Sequence, residues 1–205
     1  MKINKKTFSA IALSTLLAGV STASPILIKN HSFEVDGGAD GEFSVGDVTG
    51  WVKSGRSTGW LNVSTEFYSN TDVVDTSPSG GTYADMDGKR VFFFAANGNR
   101  FITQTLESNI KVGQQYRLTI AVGNRDASTR QGFAGYDIRL SAGGTVVATE
   151  TSTVPPGSGT FTDVELVYTA RAGDSGELGI FIGTLNASSS SALEVDNVRL
   201  TEDGA

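Results

Sequence analysis

YRLTIAV, residues 116–122, is the stretch that decides the fold. Tyr116, Leu118, Ile120 and Val122 recur at every second position, with Arg117, Thr119 and Ala121 between them. A period of two puts the first set on one face of an extended strand and the second on the other, so one face is core and the other wet. YDIRL (136–140) and VELVY (164–168) repeat the alternation. The same reading predicts strands near 26–30, 59–68, 82–86, 90–97, 100–107, 114–124, 134–142, 145–151, 161–170, 177–185 and 192–201, and no window carries a helical stripe. Turn-forming clusters separate them: DGGADG (36–41), PSGG (78–81), DGK (87–89), NGN (97–99), PPGSG (155–159) and AGDSG (172–176). Gly143-Gly144 has the form of a two-residue hairpin. About ten short strands joined by turns imply an all-β, two-sheet antiparallel β-sandwich of jelly-roll type.

Residues 1–23 have the pattern of a signal peptide, with Lys2, Lys5 and Lys6 as a basic head, Ala10 to Val20 apolar, and Ser21-Thr22-Ala23 as a small-residue cleavage site. The apolar stretch is too short to span a bilayer, and residues 24–205 are expected to form a single sandwich domain. Export places the domain in the periplasm, at the cell surface or in the medium. Without cysteine it must hold by its core and by a metal if one binds. Removing three lysines from 16 basic residues leaves 13 against 22 acids, a formal charge of −9. That balance argues against nucleic acid and anionic membranes as partners. It suits divalent cations.

The last strand, LEVDNVRL (193–200), breaks its own alternation. Leu193 and Val195 fall on one face, Val198 and Leu200 on the other, so an extra residue near Asp196-Asn197 is needed to turn all four inward. Near the start, NHSFE (30–34) reads as a short strand in which Glu34 stands beside Phe33, a costly place for a carboxylate without a partner.

NHSFE, GW (50–51), DGKRVFFF (87–94), ITQTL (102–106), VGQQYRLTIAVGNR (112–125), GTFTDVELVYTA (159–170) and LEVDNVRL follow one another as do the landmarks of secreted bacterial carbohydrate-binding modules. The chain resembles the galactose-binding-like jelly rolls of xylan- and glucan-binding type, and also similar domains of exported surface proteins. The resemblance implies a structural calcium joining the first strand to the last. Its ligands would be the Ser32 carbonyl, Glu34, Asp196, and either Asp87 or the carbonyl of Lys89, a mixture of carboxylates and carbonyls that suits calcium. Asn30 is expected to brace the turn instead.

Sugar binding calls for flat aromatic faces with a few polar groups to read hydroxyls. Trp60, Tyr83 and Phe133 are candidates for stacking, with Tyr68 and Phe181 behind them. Arg125, Asp137 and Arg139 are candidates to line a groove. Trp51 is expected in the core. A catalytic site is not expected, because the single histidine, His31, and the absence of cysteine leave little for nucleophilic chemistry. The first reading is therefore a secreted, non-catalytic polysaccharide-binding protein with a structural calcium. The second is a structural or adhesive surface or matrix protein without sugar affinity, and the third a jelly-roll glycanase or lyase.

Overall fold

The computed structural model describes residues 23–36, 42–55, 58–62, 87–88, 90–95, 98–124 and 132–204. Two sheets face each other, and no helix occurs among the described residues. In the larger, β11 (Thr160–Thr169), β7 (Gln115–Asn124), β13 (Ser191–Asp203), β5 (Arg90–Ala95), β4 (Thr58–Asn62) and β2 (Phe43–Ser44) lie side by side. Two short strands, β1 (Ser24–Ile26) and β8 (Gly132–Phe133), add to β13. The smaller sheet runs β10 (Thr145–Ser152), β9 (Tyr136–Ala142), β12 (Glu177–Thr184), β6 (Phe101–Asn109) and β3 (Val52–Lys53). Every pairing is antiparallel except that of β8 with β13. The all-β sandwich expected from the alternation is the fold observed.

The alternation of β7 does what its sequence demands. Leu118, Ile120 and Val122 point inward beside Phe92, Phe94, Leu193 and Val195, and meet Ile102, Ile138, Leu140, Leu178, Ile180 and Ile182 of the other sheet. Gly143 and Gly144 close the β9–β10 hairpin at φ 54° and 80°, values at which a glycine carries no steric penalty. The two-residue strands β2, β3 and β8 were not expected; they are too short for a period of two to register. The predicted strand at 82–86 lies outside the described residues.

NHSFE is not a strand. The chain turns there, with Asn30 at φ 50° and Phe33 at φ 59°. This sends the Phe33 ring fully into the core against Trp51 and Phe92, at centroid separations of 5.7 and 5.5 Å. Glu34 therefore does not alternate with Phe33 across a sheet. Asn30 braces the turn as expected: its Oδ1 accepts from the Val35 amide, and its Nδ2 donates to Asp36 and to the Thr49 carbonyl. Trp51 is buried, and its Nε1 donates to the Asn30 carbonyl at 3.1 Å. Gln104 of β6 clasps Lys29 through both its amide N–H and carbonyl, so the opening segment reaches both sheets.

In β13 the register shifts between Asp196 and Arg199, and Asn197 takes φ 47°. Leu193, Val195, Val198 and Leu200 are all buried in the core, as the broken alternation requires. The Val198 amide freed by the bulge donates to the His31 carbonyl at 2.9 Å, fastening the last strand to the opening turn. Asn tolerates this left-handed backbone and β-branched residues do not. Asn197→Val should therefore lower the unfolding free energy by roughly 1–3 kcal/mol in a urea titration, and Asn197→Gly should cost clearly less.

Candidate functional site

The bulge leaves the residues before it in simple alternation, so Glu194 and Asp196 point away from the core that Leu193 and Val195 fill. One row of residues crosses the outer face at the level of Glu194. Phe161 of β11 pairs with Gly123 of β7, Gly123 with Glu194, Glu194 with Phe93 of β5, and Phe93 with Gly59 of β4. All belong to the outer face, yet Glu194 is 1% exposed, Phe161 6% and Phe93 7%. A side chain on Gly59 would run into the Ser44 carbonyl, so the chain after β2 closes over that end of the row. Glu194 thus lies under cover on a sheet face, flanked by Phe93 on one side and by Gly123 and Phe161 on the other.

Asp196 lies one step further along β13, beside Ala121, and is wholly buried. Its Oδ2 accepts from the Asp87 amide at 2.7 Å, while Oδ1 is buried without a hydrogen-bond partner. Burial pushes its carboxyl well above the usual aspartate range; the Asp87 and Asn197 amides oppose this, and the nearby Asp87 and Glu34 charges add to it. Glu34 has a partner: its Oε1 accepts from the Arg90 amide at 2.6 Å, and the Arg90 guanidinium donates to its backbone carbonyl. Gly88 is packed so closely on the Glu34 carboxylate that a Cβ there would fall 2.4 Å from Oε1. His31 is exposed, with Nδ1 3.8 Å from Asp87.

Of the expected calcium ligands, Glu34, Asp87 and Asp196 are thus neighbours, Ser32 sits in the same turn, and Lys89 lies outside the described residues. No three described acidic or histidine side chains converge as a metal-binding group. The expected set is not a ready carboxylate cage, because Arg90 has taken part of Glu34.

The expected sugar groove is not assembled. Trp60 faces inward and is buried in the core, opposite Phe92, so its ring offers no surface for stacking. Phe133 packs against the core and meets Tyr136 edge-on at 6.5 Å. Tyr68, Tyr83 and Arg125 lie outside the described residues. Asp137 and Arg139 are on β9 of the smaller sheet and pair with each other. The Arg139 guanidinium lies 4.6 Å from the centroid of Phe181, which stacks on Phe101 at 5.1 Å. That half-exposed array is on the sheet opposite Glu194. Glu194 itself was not anticipated. Its signals were the same-face spacing with Asp196 and three consecutive phenylalanines in β5, which require a strand covered on both faces.

The family HpiC1-like, described as HpiC1 cyclase, matches residues 24–201. The fold is also that of a cyclase from Fischerella sp. in its apo form, 26% identical over 89% of this chain and 98% of the other, with a TM-score of 0.73. The Stig cyclase Fisc from Fischerella sp. TAU, in complex with (3Z)-3-(1-methyl-2-pyrrolidinylidene)-3H-indole, is 23% identical over 90% of this chain and all of its own, with a TM-score of 0.72. A cyclase from the same source, in complex with 4-(1H-indol-3-yl)butan-2-one, matches at a TM-score of 0.71 and 23% identity, over 89% of this chain and 99% of its own. No curated protein sequence matches the chain.

These findings overturn the resemblance to carbohydrate-binding modules and the three readings built on it. A non-catalytic polysaccharide binder, an adhesive or matrix protein and a glycanase or lyase all give way to a cyclase family, and a polysaccharide partner gives way with them. The expectation of no catalytic site falls too: it counted histidine and cysteine, whereas a buried carboxyl suffices for proton chemistry.

Asp196→Ala leaves the Asp87 amide without its acceptor and should lower the unfolding free energy by roughly 1–3 kcal/mol in urea. Asp163→Ala, which breaks the half-exposed pair with Arg199, should cost less than about 1 kcal/mol in the same assay.

Proposed function

The chain belongs to the HpiC1-like cyclase family, and on that premise we propose that it closes a ring in a small aromatic substrate, with Glu194 as the proton-transferring acid. The observation that carries this is the burial of Glu194 between Phe93 and the Gly123–Phe161 pair on the outer face of the larger sheet. The indole compounds bound by two related cyclases support an indole or comparably electron-rich ring as the substrate class. Glu194 delivers a proton to an unsaturated side chain of the substrate and leaves a cationic carbon. The aromatic π system attacks that carbon, forming the new C–C bond. The ring then loses a proton to the Glu194 carboxylate, restoring the acid. The overall change is an isomerisation, with no atom gained or lost. Phe93 and Phe161 present π electrons near the cation and keep water from quenching it.

We retain calcium as a proposal in a narrower form. Asp196 Oδ1, buried and unpartnered, would supply a carboxylate ligand beside Asp87 and Glu34, with backbone carbonyls such as that of Ser32 completing the set. Bound there, the ion would hold Asp196 in its buried, ionised form. The leader at residues 1–23 supports export, with residues 24–205 as the working protein.

Two measurements test these assignments. Incubated with indoles bearing an unsaturated side chain, the purified protein should yield products of unchanged mass and altered chromatographic retention. Glu194→Gln should lower that rate by about 10²–10⁴-fold with little change in melting temperature. Equal rates in the two proteins would remove Glu194 from the mechanism. Calcium at about 100 times its dissociation constant should add roughly 2.7 kcal/mol of stability over EDTA. Identical melting curves would remove the ion.

A further inference from the structure

Phe161 is an anomaly on its own strand. On the outer face of β11 the positions that follow it, Asp163, Glu165 and Val167, are exposed, as befits an edge strand, whereas Phe161 is buried. What it covers is Gly123. A Cβ built on Gly123 would fall 2.5 Å from Phe161 Cζ and 2.6 Å from Cε1, far inside van der Waals contact. The Gly123 backbone is otherwise ordinary strand, with no positive φ to call for glycine. The glycine is needed for space: it lets the ring lie across β7 toward the acid. Glu194 is the next residue in the row on the far side of Gly123, so no other side chain of the row stands between ring and carboxyl. Phe93 bounds the opposite side.

We propose that Gly123 and Phe161 together set the ring size accepted beside Glu194, an assignment that rests on this face being the active site. Any side chain at position 123 adds volume to the row beside Glu194, where the Phe161 ring already fills the space over β7. The slot then narrows. Removing the ring as well cancels the effect, because the added methyl no longer has anything to push.

The test compares the affinities of two ketones that differ only in ring size, 4-(1H-indol-3-yl)butan-2-one and 4-phenylbutan-2-one, by titration calorimetry. Gly123→Ala should shift the indole-to-phenyl affinity ratio about tenfold toward phenyl. The double variant Gly123→Ala/Phe161→Ala should return the ratio to within about twofold of wild type; Phe161→Leu replaces Phe161→Ala if the latter does not fold. A loss of general packing weakens both ketones together and leaves the ratio unmoved. An unmoved ratio in Gly123→Ala, or a shift that persists in the double variant, overturns the assignment while the active-site reading stands. A wild-type protein that binds neither ketone overturns both.

Discussion

One extra residue in the last strand organises this molecule. β13 lies between β7 and β8 on one side and β5 and β1 on the other, and it must feed the core along its whole length. A regular strand with this sequence would bury Leu193 and Val195 and turn Val198 and Leu200 to the outside. The bulge at Asp196-Asn197 restores all four to the core, at the cost of a left-handed Asn197. The amide it frees is taken by the His31 carbonyl, which ties the strand to the turn carrying Phe33. On its outer side, the half of β13 before the bulge presents Glu194 and Asp196, the two acids most deeply buried among the described residues.

These two acids stand among different neighbours, and the proposed chemistry falls to Glu194. Asp196 is tied to the Asp87 amide and lies close to Glu34 and Asp87, a cluster bound up with the opening turn. Glu194 stands in a row of glycine and phenylalanine. Fixed backbone contacts suit an anchor. A buried carboxyl flanked by glycine and phenylalanine suits a planar substrate that must receive and return a proton.

The fold was legible because its signal is repeated: the alternation of Tyr116 to Val122 recurs in β9 and β11, and each repeat is read independently of the others. The bulge was legible for the converse reason, as one strand violated a rule the rest obeyed. The turn at NHSFE was misread as a strand because nothing in its composition requires positive φ at Asn30 and Phe33; that is imposed by the demand to bury Phe33 against Trp51 and Phe92. The function was misread because the landmarks that suggested a sugar-binding module, NHSFE, GW and DNV, belong to the turn and the bulge. They build the frame that holds β13. Many activities can share such a frame. The residues proposed to carry this one, Gly123, Phe161, Phe93 and Glu194, lie on four different strands, and only the pairing register brings them into one row.

The smaller sheet carries a competing surface, where Arg139 covers Phe181 and Asp137 holds Arg139. It has half-exposed aromatics and an ion pair. The most direct test is a crystal structure of the protein with 4-(1H-indol-3-yl)butan-2-one. The account predicts the indole on the outer face of the larger sheet, between Phe93 and Phe161 and within hydrogen-bonding distance of Glu194; an indole seated on Phe181 and Arg139, with the Glu194 row empty, would contradict it.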